Sequence, residues 1–229
     1  PCECASIVQN RRSVAAGTSS KFQQLALTHA AMMGGEAAMV VALADSFFFD
    51  VDPNGARTKV LGFLLASFAP FLIVAPFIGP AIDRVRGGRR FVVQAVAGAR
   101  VVVQLLMVRF SDDIALFPLV FAALVLQKTY AVSKSALVPA VVRSDLELVE
   151  ANSKLGVIAG LAGAVAVAPA GALQVTIGTS ATLFYGALLF GVALASIFVL
   201  IGLSVPNGEA AQAAAFPLLA PLVFASNAF

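Results

Sequence analysis

Several ionisable side chains stand inside long runs of apolar residues, where a charge is costly: Glu36 and Asp45 in the first run, Arg100 in a later one, and Lys128 and Lys134 in the next. At about 1.5 Å per helical residue, Glu36 falls near the middle of its run, at a depth similar to Arg100 and Lys128. Asp45 falls in the outer part. A carboxylate at such a depth beside a cation has two uses. It can take up and release a proton, freeing and recapturing its partner each time, which is the charge switch that coupled transport needs. It can also be a static pair that fixes helix register. Glu36 and Asp45 are thus candidate proton-coupling acids, and Lys128 and Arg100 candidate cavity or ion-pair cations. Lys134, nearer a helix end, is expected to snorkel to the headgroups, and His29 to sit at the membrane interface.

Other chemistries find little footing. His29 is the single histidine, and a serine nucleophile needs a base beside it. No G-x-S-x-G, no H-E-x-x-H and no G-x-x-x-x-G-K-[ST] occurs. Cys2 and Cys4 form an isolated C-x-C pair, a weak metal signal. The expectation is no catalytic residue, no metal, no cofactor and no nucleic-acid partner, and not an enzyme.

These acids and bases must be positioned by membrane helices. Of 229 residues, 60% are hydrophobic and only 12% charged, against about 25% charged in soluble domains. So few polar side chains cannot cover the surface of a soluble fold of this size. About 20 apolar residues make a spanning helix, and six stretches qualify: 25–49, 60–82, 91–110, 114–138, 155–177 and 183–205. They are too long and too evenly apolar for barrel strands. The expected fold is an all-α integral membrane protein of six helices. Residues 1–24 would be a cytoplasmic N-terminal segment, 25–205 the bundle, and 206–229 a linker or the start of a seventh span. Because the chain begins with Pro1, a piece of a longer or processed protein is expected.

Lysine and arginine mark the cytoplasmic side. They concentrate before the first stretch (Arg11, Arg12, Lys21), after the second (Arg84, Arg86, Arg89, Arg90) and after the fourth (Arg143, Lys154). The chain is therefore expected in the plasma (inner) membrane as a multi-pass protein with its N-terminus inside.

The loop after the second stretch reads Gly79-Pro-Ala-Ile-Asp83-Arg84-Val-Arg86-Gly87-Gly88-Arg89-Arg90. An acid among arginines at a helix end can latch a cation or a helix N-terminus. The loop resembles motif A of the major facilitator superfamily, G-x-x-x-D-R-x-G-R-R/K, with Gly79, Asp83, Arg84, Arg89 and Arg90 on the pattern and one extra residue near Gly87. The fourth stretch ends in Lys128-Thr-Tyr-Ala-Val-Ser-Lys134-Ser-Ala-Leu-Val-Pro139 and leads to the acidic Asp145–Ser153. That run is similar to the exporter-like branch of the superfamily, in particular to actinobacterial multi-span transporters. The fifth stretch places Gly156, Gly160, Ala164, Ala168 and Ala172 every fourth residue, a ridge that would let helices approach closely. Ala168-Pro169-Ala-Gly171-Ala is a loose match to the Gly-Pro-x-x-Gly-Gly element of antiporters.

The resemblance implies the N-terminal six-helix half of a twelve-span fold, whose two halves are related by an axis along the membrane normal. It implies proton-coupled export of a small molecule by alternating access, with motif A as a gating loop that closes on the C-terminal six-helix half. In that family the third span lies towards the outside of the bundle, which would make Arg100 structural. An acid in an apolar cavity would suit a lipophilic cation. The alternative is the membrane subunit of an ATP-driven transporter with a separate ATPase.

Overall fold

A computed structural model describes residues 2–48, 88–111, 115–140, 142, 144–202 and 209. Five helices account for nearly all of them: α1 (Cys2–Phe48), α2 (Gly88–Arg109), α3 (Leu116–Leu137), α4 (Asp145–Thr176) and α5 (Thr179–Gly202). Each is long and apolar enough to cross a membrane. The described residues are all-α, and their five candidate spans make a multi-pass membrane protein. The second expected stretch, 60–82, and the tail from 210 lie outside the described residues.

Three apolar clusters set the alignment of the helices. Leu25 of α1 meets Val138, Ala151 of α4 and Leu200 of α5 at one end, here called basal. Met32, Val93, Tyr130 and Phe190 gather at mid-height. Leu43, Met107, Leu116 and Leu183 gather at the apical end. Rising numbers on α1 therefore match rising numbers on α2 and α4 and falling numbers on α3 and α5. So α1 and α2 run in the same direction, and α1 ends at the opposite end of the bundle from where α2 begins.

The burial patterns rank the helices. Between Leu25 and Leu43, α1 is buried on most of its circumference, including Thr28, Met32, Gly35, Ala38 and Met39. It packs on α4 and α5, while α2 packs on α3 and α5. A helix buried almost all round is the bundle's interior. By contrast α4 buries one stripe, Ala151, Leu155, Ala166 and Ala170, and presents Val157, Leu161, Val165 and Val175 outward. In a bilayer these outward side chains meet acyl chains at no cost.

Helix α4 begins ten residues before the apolar run does. Ser144 is extended at the N-cap and accepts a hydrogen bond from the Glu147 backbone N–H at 3.3 Å. Ser144 and Glu147 have the spacing of a capping box, and Asp145 and Glu147 lie in the first turn, where acids favour the helix dipole. The acidic Asp145–Ser153 segment is thus the first part of α4. Loss of the cap in Ser144→Ala is expected to cost about 1 kcal/mol, read as a lower unfolding midpoint in detergent with no change in helix content. Pro169 sits within α4 without ending it. The turn into α5 needs Gly178, whose φ of +112° only glycine adopts freely, and whose N–H donates to the Leu173 carbonyl at 3.0 Å.

Residues before 25 belong to the same helix as the first span, since α1 starts at Cys2. The ridge of Gly156, Gly160, Ala164, Ala168 and Ala172 is exposed, with nothing within 4 Å of a side chain added at Gly156 or Gly160. The stripe that packs inward, Leu155, Ala166 and Ala170, lies on nearly the opposite face of the helix at 100° per residue. It carries the larger Leu155, which buries more apolar surface than the ridge would.

Candidate functional site

The centre of the bundle holds one buried ion pair. Glu36 of α1 and Arg100 of α2 meet through Oε1 and Nη2 at 2.7 Å, with side chains 7% and 1% exposed. The backbones of α1 and α2 do not pack directly, so the two long side chains bridge the helices. Arg100 is held at two further points. Its Nη1 donates to the Ala123 carbonyl of α3 at 2.7 Å, and its guanidinium lies 4.3 Å from the ring centroid of Phe190 on α5. One side chain thus ties α1, α2, α3 and α5 together. Lys128, half-buried on α3, adds a second positive field at Glu36.

Small residues next to the pair make this possible. A Cβ at Gly35 would lie 2.8 Å from the Phe190 ring, which fills that space. Phe190 is thereby pressed between the α1 backbone and the Arg100 guanidinium. One level towards the apical end, Gln104 donates from Nε2 to the Leu183 carbonyl at 3.3 Å, and a Cβ at Gly186 would meet that Nε2 at 2.7 Å. Helix α2 thus buries three polar residues, Gln94, Arg100 and Gln104.

A second polar cluster lies two turns basal of Glu36 on α1. His29 is buried. Its Nδ1 lies 3.3 Å from the Tyr130 hydroxyl and its Nε2 lies 3.4 Å from Lys134 Nζ. The His29 and Tyr130 rings stack with centroids 6.0 Å apart. An ammonium only donates, so His29 Nε2 accepts from charged Lys134 and Nδ1 carries the imidazole proton. The Tyr130 oxygen then accepts a hydrogen bond from Nδ1–H, which leaves the tyrosine's own O–H to point elsewhere.

The structure thus unites Glu36 with Arg100 and brings Lys128 into their field. It revises three placements. Arg100 is at the centre of the bundle instead of on its outside. His29 is an interior residue instead of an interfacial one. Lys134 turns inward to His29 instead of out to the headgroups. In each case the polar partner on a neighbouring helix offers a hydrogen bond that lipid cannot. The side chain of Asp45 lies outside the described residues. So do Gly79, Asp83 and Arg84, whereas Arg89 and Arg90 fall in the first turn of α2 with side chains outside the description.

Phe190 and Tyr130 were not anticipated in these roles. The signal for Phe190 is the Gly34-Gly35 pair just before Glu36, a local clearing on a helix face. The signal for Gln94 and Gln104 is their recurrence with Arg100 in an otherwise apolar run.

Comparison with known proteins gives a partial likeness. The chain is 36% identical over 138 residues to the uncharacterized protein ML2143 of Mycobacterium leprae, a match covering 57% of this chain and 24% of that protein. It is 34% identical over 138 residues to the uncharacterized protein Rv0876c of Mycobacterium tuberculosis, covering 57% of this chain and 25% of that one. No family model matches, and no solved structure matches. The match spans about a quarter of the length of these mycobacterial relatives.

Proposed function

We propose that this chain is one helical bundle of a secondary active transporter, with Glu36 as the carboxylate that couples proton movement to a change of conformation. The observation that carries the reading is the Glu36–Arg100 pair, buried at the meeting point of four helices. A charge change at Glu36 alters a contact shared by α1 and α2 while Arg100 keeps its hold on Ala123 and Phe190. Neutralised, Glu36 loses its claim on the guanidinium and α1 is free to shift against α2. That is a local charge event acting on a packed, bistable element.

Four features support membership of the major facilitator superfamily as the N-terminal six-helix half. The loop 79–90 follows the motif A pattern. The parallel course of α1 and α2 calls for a crossing between them, and the apolar stretch 60–82 is the segment with the length and composition to supply it. The open small-residue ridge of α4 offers a surface that a further helix can approach closely, and the mycobacterial relatives have the length for a second bundle. The basic loops favour a cytoplasmic N-terminus in the plasma membrane.

A lipophilic cation is less well served than the sequence implied. Among the described residues, Glu36 is the buried acid and Arg100 and Lys128 already act on it, with Lys134 adding a further positive charge nearby. A small molecule carrying an anionic group fits this balance better.

The test uses proteoliposomes with a pH-sensitive dye inside and a panel of small organic anions and cations outside. Wild type is expected to move protons when its substrate is added. Glu36→Gln is expected to retain substrate exchange and lose proton movement, with a flat pH profile. An unaltered pH profile in Glu36→Gln makes Glu36 a structural residue and sinks the coupling role.

A further inference from the structure

The His29–Tyr130–Lys134 cluster takes no part in the role proposed for Glu36, and two of its three members are bases. His29 of α1 and Lys134 of α3 meet at 3.4 Å between Nε2 and Nζ, while Nδ1 lies 3.3 Å from the Tyr130 hydroxyl. The backbones of α1 and α3 do not pack directly: α1 lies on α4 and α5, and α3 on α2. At this level the two helices are therefore joined through side chains. Apolar clusters flank the contact, one holding Met32 and Tyr130 and the other Leu25 and Val138. Lys134 stands in the last turn of α3, and a single 3-10 turn, Val138–Ala140, follows. The polar tie thus sits where α3 ends.

The tie depends on the imidazole being neutral. An ammonium has three donors and no acceptor, and a protonated imidazole donates from both nitrogens. Neutral His29 offers Nε2 as the acceptor for Lys134. Once that nitrogen binds a proton, two donors carrying like charge face each other across 3.4 Å, and like charges so close repel strongly. The Nδ1–H contact to Tyr130 survives, since Nδ1 donates in both forms. Only the arm to Lys134 is broken. That side chain is half-buried and long enough to carry its charge towards the headgroups.

We propose that the His29–Lys134 contact is an acid-released latch between the basal ends of α1 and α3, closed while His29 is neutral and open once it is protonated. One proton from the basal side adds to Nε2, and no bond between heavy atoms forms or breaks. The latch is a second response to pH, separate from the role proposed for Glu36.

The groups around His29 offer it no counter-ion. On α1 the charged neighbours are Lys21, about two turns basal, and Glu36, about two turns apical and held by Arg100 of α2. Helix α3 brings Tyr130 and Lys134, with Lys128 nearer mid-height. Asp145, Glu147, Glu150 and Lys154 of α4 are exposed, and Glu150 pairs with Lys154 at 2.6 Å. Helix α5 carries Tyr185 towards the apical end and no charged residue. Among the described residues no carboxylate forms an ion pair with His29.

His29 is the single histidine, so nitrogen magnetic resonance on isotope-labelled histidine reads its ring alone. The protein in lipid nanodiscs is stepped from above to well below about pH 6.5, where an ordinary imidazole titrates. Nδ1 is expected to be protonated and Nε2 bare at the high end, and both protonated at the low end. In parallel, spin labels on Gln23→Cys of α1 and Ser135→Cys of α3, both exposed positions, with Cys2→Ser and Cys4→Ser, read the separation of the basal ends. The distance distribution is expected to lengthen and broaden in step with protonation of His29. In Lys134→Gln the amide donates to a bare Nε2 and accepts from a protonated one, so the closed distance is expected to hold across the whole range, which also excludes acid unfolding as the cause. Glu36→Gln is expected to open as wild type does, whether or not Glu36 couples proton movement. The proposal is overturned by a His29 that stays neutral throughout, by a distance that ignores its protonation, or by Lys134→Gln opening like wild type. Loss of the response in Glu36→Gln also overturns it and assigns the pH dependence to Glu36.

Discussion

Arg100→Met will lower stability by about 3–5 kcal/mol, the cost of breaking a buried ion pair from one side. The size follows from what is left behind. Glu36 keeps a side chain almost fully buried, with Oε2 unpaired and Oε1 stripped of its 2.7 Å partner. Lys128 adds a positive field from α3. The Ala123 carbonyl and the Phe190 ring lose their shared partner at the same time. Replacing both members, Glu36→Met with Arg100→Met, removes the charge together with its counter-charge. Apolar replacement of a buried pair is often neutral or stabilising, so the double variant is expected to recover most of the loss. Denaturant titration in mixed micelles of wild type, both single variants and the double variant gives the full cycle. Equal losses in Arg100→Met and in the double variant would show that the pair is not the source.

A glycine controls the second large effect. Gly35→Ala puts a methyl group 2.8 Å from Cε1 and Cζ of Phe190. Helix propensity alone would favour alanine by about 1 kcal/mol. Overpacking a filled core costs about 1–3 kcal/mol, and displacing Phe190 also forfeits its cation–π contact, worth about 0.5–2 kcal/mol. The net expectation is destabilisation, reversed in sign from the usual Gly→Ala exchange in a helix. Phe190→Leu in the same chain makes room for the methyl group and is expected to rescue packing. It cannot restore the aromatic hold on Arg100, so the rescued protein should be stable yet altered in the pH dependence of any proton movement. If Gly35→Ala is as stable as wild type, the ring is not held against α1 as described.

Much of the scaffold was legible because apolar length is a direct signal. The expected stretches 91–110 and 114–138 match α2 and α3 within a few residues, since charged or glycine-rich loops bound them. The start of α4 was not legible from hydropathy. Residues 145–153 are polar, and only the Ser144 cap and the absence of a breaker before Leu155 carry the helix back to Asp145. The ridge of Gly156 to Ala172 shows a different limit. A four-residue period fixes which residues share a face but not whether that face turns inward, and here Leu155, Ala166 and Ala170 won the interior.

The same limit applies to the site. Depth alone placed Glu36 beside Arg100, because both stand mid-run in apolar helices. His29 and Lys134, more than 100 residues apart in sequence, each read as an interfacial group when taken singly. Their meeting depends on α1 and α3 running in opposite directions with matching register, which no local pattern encodes. Phe190 is one of 18 phenylalanines, and nothing in its own neighbourhood marks it out. The clearing it fills belongs to another helix, at Gly35.

The central claim is that Glu36 is a carboxylate that gains and loses a proton in the folded bundle, as opposed to a charge locked permanently against Arg100. Infrared difference spectroscopy of the protein in lipid, stepped across the pH range in which it remains folded, reads protonated carboxyl groups directly through their C=O stretch. A titrating Glu36 gives a carboxyl band that appears and disappears reversibly with pH, is shifted by heavy water, and is absent in Glu36→Gln. A spectrum whose pH-dependent carboxyl band is unchanged by Glu36→Gln would contradict it, leaving the pair a fixed tie between α1 and α2.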